Sequence, residues 1–563
     1  LFMTVNYKGQ TFMTDNDLST NLIGFYPKIN ISNEIIIEKL GRDFLGGNEI
    51  VSFVQKLVAG QVDFEDGLVE EVLNAAENPE KTLRETVFEK TSKGIGRGHS
   101  MGGLSGIVLG INGTKMIDSG LTGLTMSRSL VTSGRRRVAE EEEIIIPKKF
   151  LRRKDLLEEY LEISRGVFKD AKEFNKKFGD LKGVETFNKI QSYNGPANLF
   201  IVLPLDSLVT LDFEVRDDES KPAKFLPREI KSLVDKFPEL TKEAGIDIMY
   251  AQRINVPRDG YLHYHPFTDP NSPNYALECG IEHGMSLDPV IRECRLDATK
   301  GFNKMMKETI EILKANSKID NPAKLVDGAM NSMMALRDFT ERYNEAVRLT
   351  VSDSVSWRVW SEQKRHATLR QDVESVYSAA NRAYNIVKDI WPEVKEVYEK
   401  KQERDVGALA GKAENAFIID DRLKKQPELL VPYMYHTIRQ LIFYNELLGE
   451  GFEPRDALYT VPRNIRVRTL ENYDLKNLIS LEFPLRLCEK CEPERYAVSW
   501  KKREAIVKAV PELEYLLQPK CNVGFCTEGN YCSRIMPMRS YNPELHKKTQ
   551  QEMLNMAKRI LKL

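Results

Sequence analysis

The chain has 563 residues, 41% of them hydrophobic, which suffices for two or more domains with hydrophobic cores and excludes a wholly disordered chain. Its 82 Lys and Arg balance its 83 Asp and Glu, and the formal net charge of −1 excludes an overall attraction to nucleic acid or to an anionic membrane. No apolar run reaches the ~20 residues of a membrane helix and the first residues lack the order of a signal peptide, so we expect a cytoplasmic protein.

The first motif in chain order is a glycine-rich stretch at residues 93–106, KGIGRGHSMGGLSG. Its composition suggests a phosphate-binding loop, but it lacks the Gly-Lys-Ser/Thr ending and follows no clear strand. Residues 199–215 are rich in β-branched and aromatic residues and predict a strand. A polar, proline-containing segment at 266–274 predicts a connection near the boundary between two halves of the chain.

The second half of the chain is predicted to be mainly helical. Residues 300–316 and 376–403 carry apolar residues at three- and four-residue spacing, which predicts two amphipathic helices, the second kinked or broken at Pro392. Together with the strand of the first half, these helices predict an α+β fold. His436, farther along, is interpreted as a partly buried helix residue.

The stretch QKRHATLRQDVES, residues 363–375, gathers a guanidinium, an imidazole, a carboxylate and a hydroxyl. Read as a helix, it places His366 and Arg370 on one face, and Asp372 and Ser375 three residues apart. A guanidinium can bind a phosphate through two hydrogen bonds, and a hydroxyl can bind a base or a ribose. The stretch therefore predicts a nucleotide-binding segment, with the hydrated face of a surface helix as the alternative.

Four segments resemble, in order along the chain, motifs of the flavin-dependent thymidylate synthases (the ThyX family). The first is similar to the family's Arg-His-Arg, seven residues, Ser signature, and the second to its helix, glycine turn and Ala-Arg-x-Val-Leu-Pro segment. The third resembles its Asn-x-Arg-x-Leu segment, and the fourth the Cys- and Gly-containing ending of some members. The segments are Arg365-His366-Ala367 with Ser375, residues 444–462, residues 472–487 and residues 519–532.

This resemblance implies a flavoenzyme with FAD as cofactor, NADPH and methylenetetrahydrofolate as co-substrates, and dUMP as substrate. In that family a one-carbon unit is transferred to C5 of dUMP and reduced to a methyl group, and no enzyme nucleophile is required. Carried over by position, Arg365 and His366 become flavin contacts, and Ser375 and Lys476 become dUMP contacts. His366 and Lys476 become the catalytic residues, with Lys476 stabilising negative charge on the uracil ring.

Three arginines of the family are replaced in this chain. Ala367 stands in the Arg-His-Arg motif, Tyr377 in the Ser-x-Arg-Tyr ending and Leu458 in the Ala-Arg segment. Lys476 falls where the family has a further arginine, and lysine supplies a charge but not a bidentate fork. Each lost cation would forfeit ~1–3 kcal/mol of charge-assisted hydrogen bonding to a dianion. The candidates to compensate are Arg370, Arg455 and Arg463.

A second, partial copy of the motifs lies upstream, at residues 97–147. His99 resembles part of the family's entry helix and becomes a flavin contact, and Arg136 falls on the arginine that binds the nucleotide. The alternative for Arg135–Arg137 beside Glu140–Glu143 is a helix with solvated opposite charges.

The two copies imply two fused ThyX-like domains, at residues 1–285 and 286–563, with helices packed on antiparallel or mixed sheets. Members of the family are homotetramers whose active sites lie between subunits. A homodimer of this chain would then rebuild the tetramer as a pseudo-tetramer, and the two halves of the chain could share one composite site.

Five of the seven cysteines fall within residues 488–532, which predicts a local site in a reducing compartment. Four of these thiols could hold a Zn²⁺ ion or an iron–sulfur cluster, with free buried thiols as the alternative. The four are Cys488, Cys491, Cys521 and Cys526. A second group, of three histidines and one cysteine, is interpreted as ordinary surface residues, with a metal site as the alternative. It comprises His263, His265, Cys279 and His283.

Two classes of function therefore compete. The first is a thymidylate synthase, and its alternative is a catalytically impaired or repurposed ThyX-like scaffold that binds nucleotide and flavin. A nucleic-acid-binding module held together by a metal would use the cysteines, but the balanced charge argues against it.

Overall fold

The computed structural model describes residues 5–14, 19–26, 29–46, 49–50, 68–77, 106–114, 128–131, 143–178, 189–204, 287–319, 321–363, 368–401, 406–519, 521 and 543–561. The strands in these ranges are β1 (Val5–Tyr7), β2 (Gln10–Thr14), β3 (Ser19–Tyr26), β4 (Ile29–Asn30), β5 (Phe44–Leu45), β6 (Gly106–Thr114), β7 (Arg128–Val131), β8 (Ile145–Ile146), β9 (Pro196–Pro204), β10 (Val290–Leu296), β11 (Val347–Ser356), β12 (Arg370–Val373) and β13 (Arg466–Asp474).

The helices in the same ranges are α1 (Glu34–Leu40), α2 (Leu68–Glu77), α3 (Lys154–Phe178), α4 (Lys300–Ser317), α5 (Pro322–Tyr343), α6 (Trp357–Gln363), α7 (Val376–Val387), α8 (Trp391–Lys400), α9 (Gly407–Ala413), α10 (Asp421–Lys424), α11 (Pro427–Gly449), α12 (Pro454–Ala457), α13 (Leu475–Ile479), α14 (Glu482–Arg486), α15 (Pro493–Ala509) and α16 (Pro543–Leu561). Within the described ranges, none of these helices has the length and apolar character needed to cross a membrane. The mixture of helices and sheets confirms the predicted α+β class.

The chain divides into two compact units, each built from separate segments of the sequence. The first unit comprises Leu1–Asp269, Trp391–Lys401 and Val431–Arg463, and the second comprises Pro270–Ile390, Gln402–Leu430 and Asn464–Leu563. The first break lies close to the predicted domain boundary at 285/286, but two later segments return to the first unit. The fusion of two related domains, 1–285 and 286–563, stays a prediction.

In the first unit, a four-stranded antiparallel sheet has the order β3-β6-β9-β7, and a smaller sheet of order β1-β2-β8 is mixed. The predicted strand at 199–215 is confirmed as far as Pro204, where β9 ends, and the remainder lies outside the described residues. Helix α3 buries an apolar stripe at three- and four-residue spacing that includes Leu157, Tyr160 and Phe168. The Tyr160 hydroxyl donates to the Ile145 carbonyl at 2.7 Å, which ties α3 to β8.

In the second unit, one antiparallel sheet has the order β10-β11-β13-β12. Strands β11 and β13 pair along their whole length, from Arg348 opposite Asp474 to Ser356 opposite Arg466. One face of the sheet packs on a hydrophobic core that includes Phe302 of α4. The predicted helix at 300–316 is confirmed as α4, because it matches Lys300–Ser317.

The second predicted helix, 376–403, is broken into α7 and α8, with a turn at residues 388–390 between them. Pro392 is the second residue of α8 rather than the residue at the break. Proline is accepted in the first turn of a helix, where its missing N–H has no intrahelical partner. The predicted break is thus confirmed, and it lies a few residues before the proline.

Side chains alternate between the two faces of β11 and β13, and they divide the polar residues into two groups. Thr469 and Glu471 lie on the face that packs on the hydrophobic core, together with Asp353 of β11. Arg466 and Arg468 lie on the opposite face, where Arg466 contacts Ser354. The two faces of one sheet therefore carry two different sets of charges.

Candidate functional site

Ser375 follows the edge strand of the second unit's sheet, and the helix predicted for residues 363–375 is wrong, because Arg370–Val373 form strand β12. Strand β12 pairs with β13 through Val373 opposite Thr469, and the Glu374 backbone N–H donates to the Arg468 carbonyl at 2.9 Å. Ser375 then occupies the N-cap position of α7, where its carbonyl accepts from the Ala379 N–H at 2.9 Å and its side chain is buried. The end of β12 therefore places Ser375 at a helix N-terminus, which favours negative charge.

Arg382 and Arg468 lie against the buried carboxylate of Glu374, and Arg466 is linked to Arg382 through its backbone; we call these four residues the arginine cluster. The Arg382 guanidinium donates to both carboxylate oxygens, with Nε to Oε1 at 3.0 Å and Nη2 to Oε2 at 2.8 Å. The Arg468 backbone N–H donates to Oε2 at 3.1 Å, and its Nε lies 4.0 Å from the same oxygen. Arg382 Nη2 also donates to the Arg466 backbone carbonyl at 2.6 Å, so that hydrogen bonds connect Arg466 to Arg382 and Glu374.

Burial disfavours the charged forms of Arg466 and Arg468, and their pKa values are lowered accordingly. Burial lowers the pKa of Arg466 to about 10 although nearby carboxylates oppose the change. Burial also lowers the pKa of Arg468, where Glu374 opposes the change and Arg382 adds to it. The Nε and Nη1 atoms of Arg468 are buried and have no hydrogen-bond partner among the residues that the structure describes.

The arginine cluster carries more positive than negative charge. Three carboxylates outside the cluster also act on Arg466. Glu494 acts most strongly and accepts hydrogen bonds from Ser356, whereas Glu414 contacts Lys424 and Asp353 contacts Lys502. The guanidinium groups of Arg382 and Arg468 face the one carboxylate of Glu374, and unsatisfied buried donors such as those of Arg468 are rare in folded proteins. The arrangement suits an anion with several acceptor oxygens, such as a phosphate.

Lys476 lies at the other end of the sheet. It is exposed in α13, just after β13 ends, and its backbone N–H donates to Asn344 Oδ1 at 2.9 Å. The neighbouring Asn477 donates through Nδ2 to the Thr368 carbonyl at 3.0 Å. Arg468 and Asp474 are six residues apart on one strand, or about 20 Å at ~3.3 Å per residue. The structure therefore places Lys476 beside the residue that follows the Arg365-His366-Ala367 motif, and not beside Ser375.

The remaining predicted site residues fall into three groups. Tyr377 and Leu458, which stand where the resemblance implies arginines, are both buried hydrophobic positions. Of the proposed compensating residues, Arg370 is exposed, and Arg463 donates through Nε to the Gln191 carbonyl at 3.2 Å. Outside the described residues lie Arg365, His366, His99, Arg136, Cys526 and the Arg455 side chain, and also His263, His265, Cys279 and His283.

Cys488 and Cys491 lie in a turn between α14 and α15, where the Cys491 N–H donates to the Cys488 carbonyl at 2.9 Å. Both thiols are half-buried, and so is Cys521. Burial raises the pKa of Cys491, while Arg486 and Arg495 act in the opposite direction. Among the residues that the structure describes, no three potential ligands come together around a metal position. The predicted metal site at Cys488, Cys491, Cys521 and Cys526 stays a prediction.

On the opposite face of the sheet lies a buried group of charges that sequence reasoning missed, and we call it the ionic core. Lys502 Nζ contacts Glu471 and also Asp353 Oδ2, the latter at 2.5 Å. Arg495 Nη2 donates to Glu471 Oε1 at 3.2 Å, and the Tyr473 hydroxyl donates to Glu471 Oε2 at 2.5 Å. Burial would raise the pKa of Glu471, but the charges of Arg495 and Lys502 outweigh it and lower the pKa to about 2.

The first unit contains a smaller polar group around Asp170 of α3. His436 Nε2 lies 2.7 Å from Asp170 Oδ2, and the Tyr398 hydroxyl donates to the same oxygen at 3.0 Å. Burial would raise the pKa of Asp170, but the contacts with His436 and Tyr398 hold it below its usual value. The Tyr435 ring stacks on Tyr398 with centroids 3.8 Å apart. His436 is more buried than predicted, and its partners explain why a polar ring is tolerated there.

Sequence comparison relates part of the chain to flavin-dependent thymidylate synthases. The enzyme of Pyrococcus abyssi is 28% identical over 137 residues, which are 23% of this chain and 55% of that protein. The enzyme of Thermococcus onnurineus is 29% identical over 138 residues, which are 23% of this chain and 53% of that protein. The chain therefore spans about half the length of these relatives, and no family model matches it.

Structure comparison finds flavin-dependent thymidylate synthase from Helicobacter pylori, complexed with FAD and dUMP. The match covers 41% of this chain and 97% of that one, at 14% identity and a TM-score of 0.25, which is too low to bear on the fold. The resemblance to flavin-dependent thymidylate synthases that the motifs indicate is confirmed by the sequence relatives.

Proposed function

We propose that this chain is a flavin-dependent thymidylate synthase, which methylates dUMP to dTMP with methylenetetrahydrofolate as carbon donor and NADPH as reductant. The sequence similarity to thymidylate synthases supports the reaction class. The arginine cluster beside Ser375 is the observation that carries the proposal, because buried guanidinium groups in excess suit the phosphate of a nucleotide.

In this proposal, Arg468 and Ser375 hold the nucleotide phosphate. Arg468 presents two buried donors that have no hydrogen-bond partner within the described part of the chain, and Ser375 stands at the N-terminus of α7. Arg382 and Arg466 add positive charge while Arg382 keeps its contact with Glu374 and Arg466 keeps its contact with Ser354. The cluster therefore supplies cations that the chain lacks at Tyr377 and Leu458.

FAD would supply the hydride chemistry of the reaction. Arg365 and His366, with His99 and Arg136 from the upstream copy, are the residues proposed to bind the flavin and the nucleotide, and their placement lies outside the described residues. The described residues that fit a phosphate-bearing group are those of the arginine cluster. We therefore assign to this chain's described residues only the binding and orientation of the nucleotide.

The separation of Ser375 and Lys476 has a consequence for the assembly. One nucleotide cannot contact both residues of the same chain, because they lie at opposite ends of β13, about 20 Å apart. The proposed homodimer, a pseudo-tetramer of ThyX-like domains, would bring Lys476 of a second copy to the nucleotide. Light scattering of the purified protein tests this, because a monomer that forms dTMP would exclude a role for Lys476.

The alternative is a ThyX-like scaffold that binds nucleotide and flavin without catalysis or acts on another pyrimidine nucleotide. Two observations favour it. Tyr377 and Leu458 are buried, uncharged residues, so that no cation occupies those positions, and Lys476 lies far from Ser375 along the sheet.

The test uses the full chain with three variants. Arg468→Ala should weaken dUMP binding about 10- to 100-fold in calorimetry, since a charge-assisted hydrogen bond contributes ~1.5–3 kcal/mol. Arg468→Lys should recover part of that loss because it retains the charge. Arg337→Ala is the control: it removes an exposed arginine that pairs with Glu341, and it should leave dUMP binding unchanged.

The reaction itself is followed as dTMP formed from dUMP, methylenetetrahydrofolate, NADPH and FAD. dTMP formation that falls in Arg468→Ala supports the enzyme. Binding of dUMP and FAD without dTMP supports the scaffold. A protein that binds neither ligand, or an Arg468→Ala variant that binds dUMP like the wild type, would overturn the site.

A further inference from the structure

We propose that Cys488 and Cys491 form a redox-active dithiol, which closes reversibly to an intramolecular disulfide by exchange with a low-molecular-weight disulfide. This is a modification site distinct from the proposed nucleotide site. It requires only two of the five clustered cysteines and no metal ion.

The turn places the two cysteines within reach of each other. The Cys491 N–H donates to the Cys488 carbonyl at 2.9 Å, which closes a four-residue turn between α14 and α15. The Cα atoms at the ends of such a turn lie less than ~7 Å apart, and disulfides span Cα separations of ~4.4–6.8 Å. The disulfide can therefore form with little movement of the backbone.

The surroundings allow reagents to reach the pair. Both cysteines are half-buried thiols rather than fully enclosed ones, and Lys490 between them is exposed. Burial raises the pKa of Cys491 and Glu492 acts in the same direction, whereas Arg486, which contacts the Cys491 sulfur, and Arg495 act in the opposite direction and favour the thiolate. Cysteines that exchange disulfides are typically partly exposed and lie in electropositive surroundings.

The exchange balances in atoms and electrons. The thiolate of one cysteine attacks one sulfur of the external disulfide, forms a mixed disulfide and releases the first small thiol. The second cysteine then attacks the protein sulfur of that mixed disulfide and releases the second small thiol. Two electrons and two protons pass from the cysteines to the two released thiols, and the reverse exchange restores the dithiol.

The turn continues directly into a helix that reaches the ionic core. Glu492 caps α15 by accepting from the Arg495 N–H at 2.9 Å, and Arg495 donates to Glu471 of β13. A disulfide would fix the residues that precede this first helical turn. We therefore expect the redox state of Cys488 and Cys491 to alter the stability of the second unit.

The experiment is a redox titration of the full chain in glutathione buffers, followed by acid quenching and alkylation of the remaining thiols. Trypsin cleaves after Arg486, Lys490 and Arg495, so that the two cysteines fall on separate peptides, residues 487–490 and 491–495. A disulfide joins these two peptides into one species that lacks two hydrogen atoms, which mass spectrometry detects directly.

We expect the joined peptides to appear in the wild type as the proportion of oxidised glutathione rises, and to disappear on return to reduced glutathione. Cys294→Ser, which removes an exposed cysteine on β10, should titrate like the wild type. Cys488→Ser and Cys491→Ser should each give only a mixed disulfide with glutathione.

Three results would overturn the proposal. The first is the absence of the joined peptides at every glutathione ratio, and the second is glutathione addition to both cysteines of the wild type without closure. The third is one zinc ion per chain in metal analysis that protects both thiols until a chelator removes it, which would support the predicted metal site. Circular dichroism of the serine variants separates these results from a failure to fold.

Discussion

Replacing Lys502 with methionine should destabilise the second unit strongly. Lys502 is fully buried, and its ammonium group contacts the buried carboxylates of Asp353 and Glu471. Methionine has a similar volume but no charge, so that two carboxylates would remain with Arg495 as their cation. Removing one partner of a buried ion pair typically costs ~3–5 kcal/mol, because the remaining charge is left without compensation.

The assay is urea unfolding followed by tryptophan fluorescence, since Trp357 and Trp360 are buried in the same unit. Lys501→Met is the matched control: Lys501 is the neighbouring residue on α15, its pair with Asp288 is exposed, and such pairs contribute ~1 kcal/mol or less. The double variant Lys502→Met with Glu471→Gln should recover part of the loss, because it removes one of the uncompensated carboxylates.

The reasoning would be refuted if Lys502→Met unfolded at the same urea concentration as the wild type, or if Lys501→Met were equally damaging. A double variant whose loss of stability equals the sum of the two single-variant losses would also contradict it. That result would mean that Lys502 and Glu471 stabilise the unit separately rather than through their contact.

Further predictions concern pH and packing. Glu471→Gln should reduce the acid sensitivity of the second unit, measured by urea unfolding at several pH values. The pKa of Glu471 in the folded protein is about 2, below the ordinary 4.5. Its contribution to stability is therefore complete above about pH 4.5 and is lost as the pH falls toward 2. His436→Ala should cost ~2–3 kcal/mol in thermal unfolding because the half-buried Asp170 carboxylate loses a hydrogen-bond partner. Alanine is favoured over glycine within a helix by ~1 kcal/mol, and Gly411→Ala, whose Cβ meets no atom within 4 Å, should gain this stability in thermal unfolding. Gly166→Ala should lose much or all of the same gain, because the new Cβ would lie 3.0 Å from His436 Cε1.

The sequence alone identified elements whose pattern is local. Helix α4 could be predicted because its apolar residues recur at helical spacing, and its bounds differ from the prediction by one residue at the end. The break between α7 and α8 could be predicted from a proline, although its position could not, because a proline fits either after a break or within a first turn. The motifs around Ser375 also indicated the family resemblance, which the sequence relatives confirm.

The candidate site was only partly predictable. Ser375 was named from its motif, but Glu374 beside it was overlooked, and so were Arg466 and Arg468. A signal was present in the alternation Arg-Val-Arg, which places two arginines on one face of a strand. What the alternation could not reveal is the partner strand, and therefore the carboxylate and the helix that these arginines meet.

The sequence by itself determined the helices and strands with clear periodicity, the balanced charge and the family resemblance, because these depend on residues close together in the chain. The tertiary structure alone decided which charges meet. The register of β13 between β11 and β12 brings Glu374 to Arg468 on one face and Glu471 to Asp353 on the other. Pairing between distant strands is set by the burial of a whole face, so no local pattern specifies it.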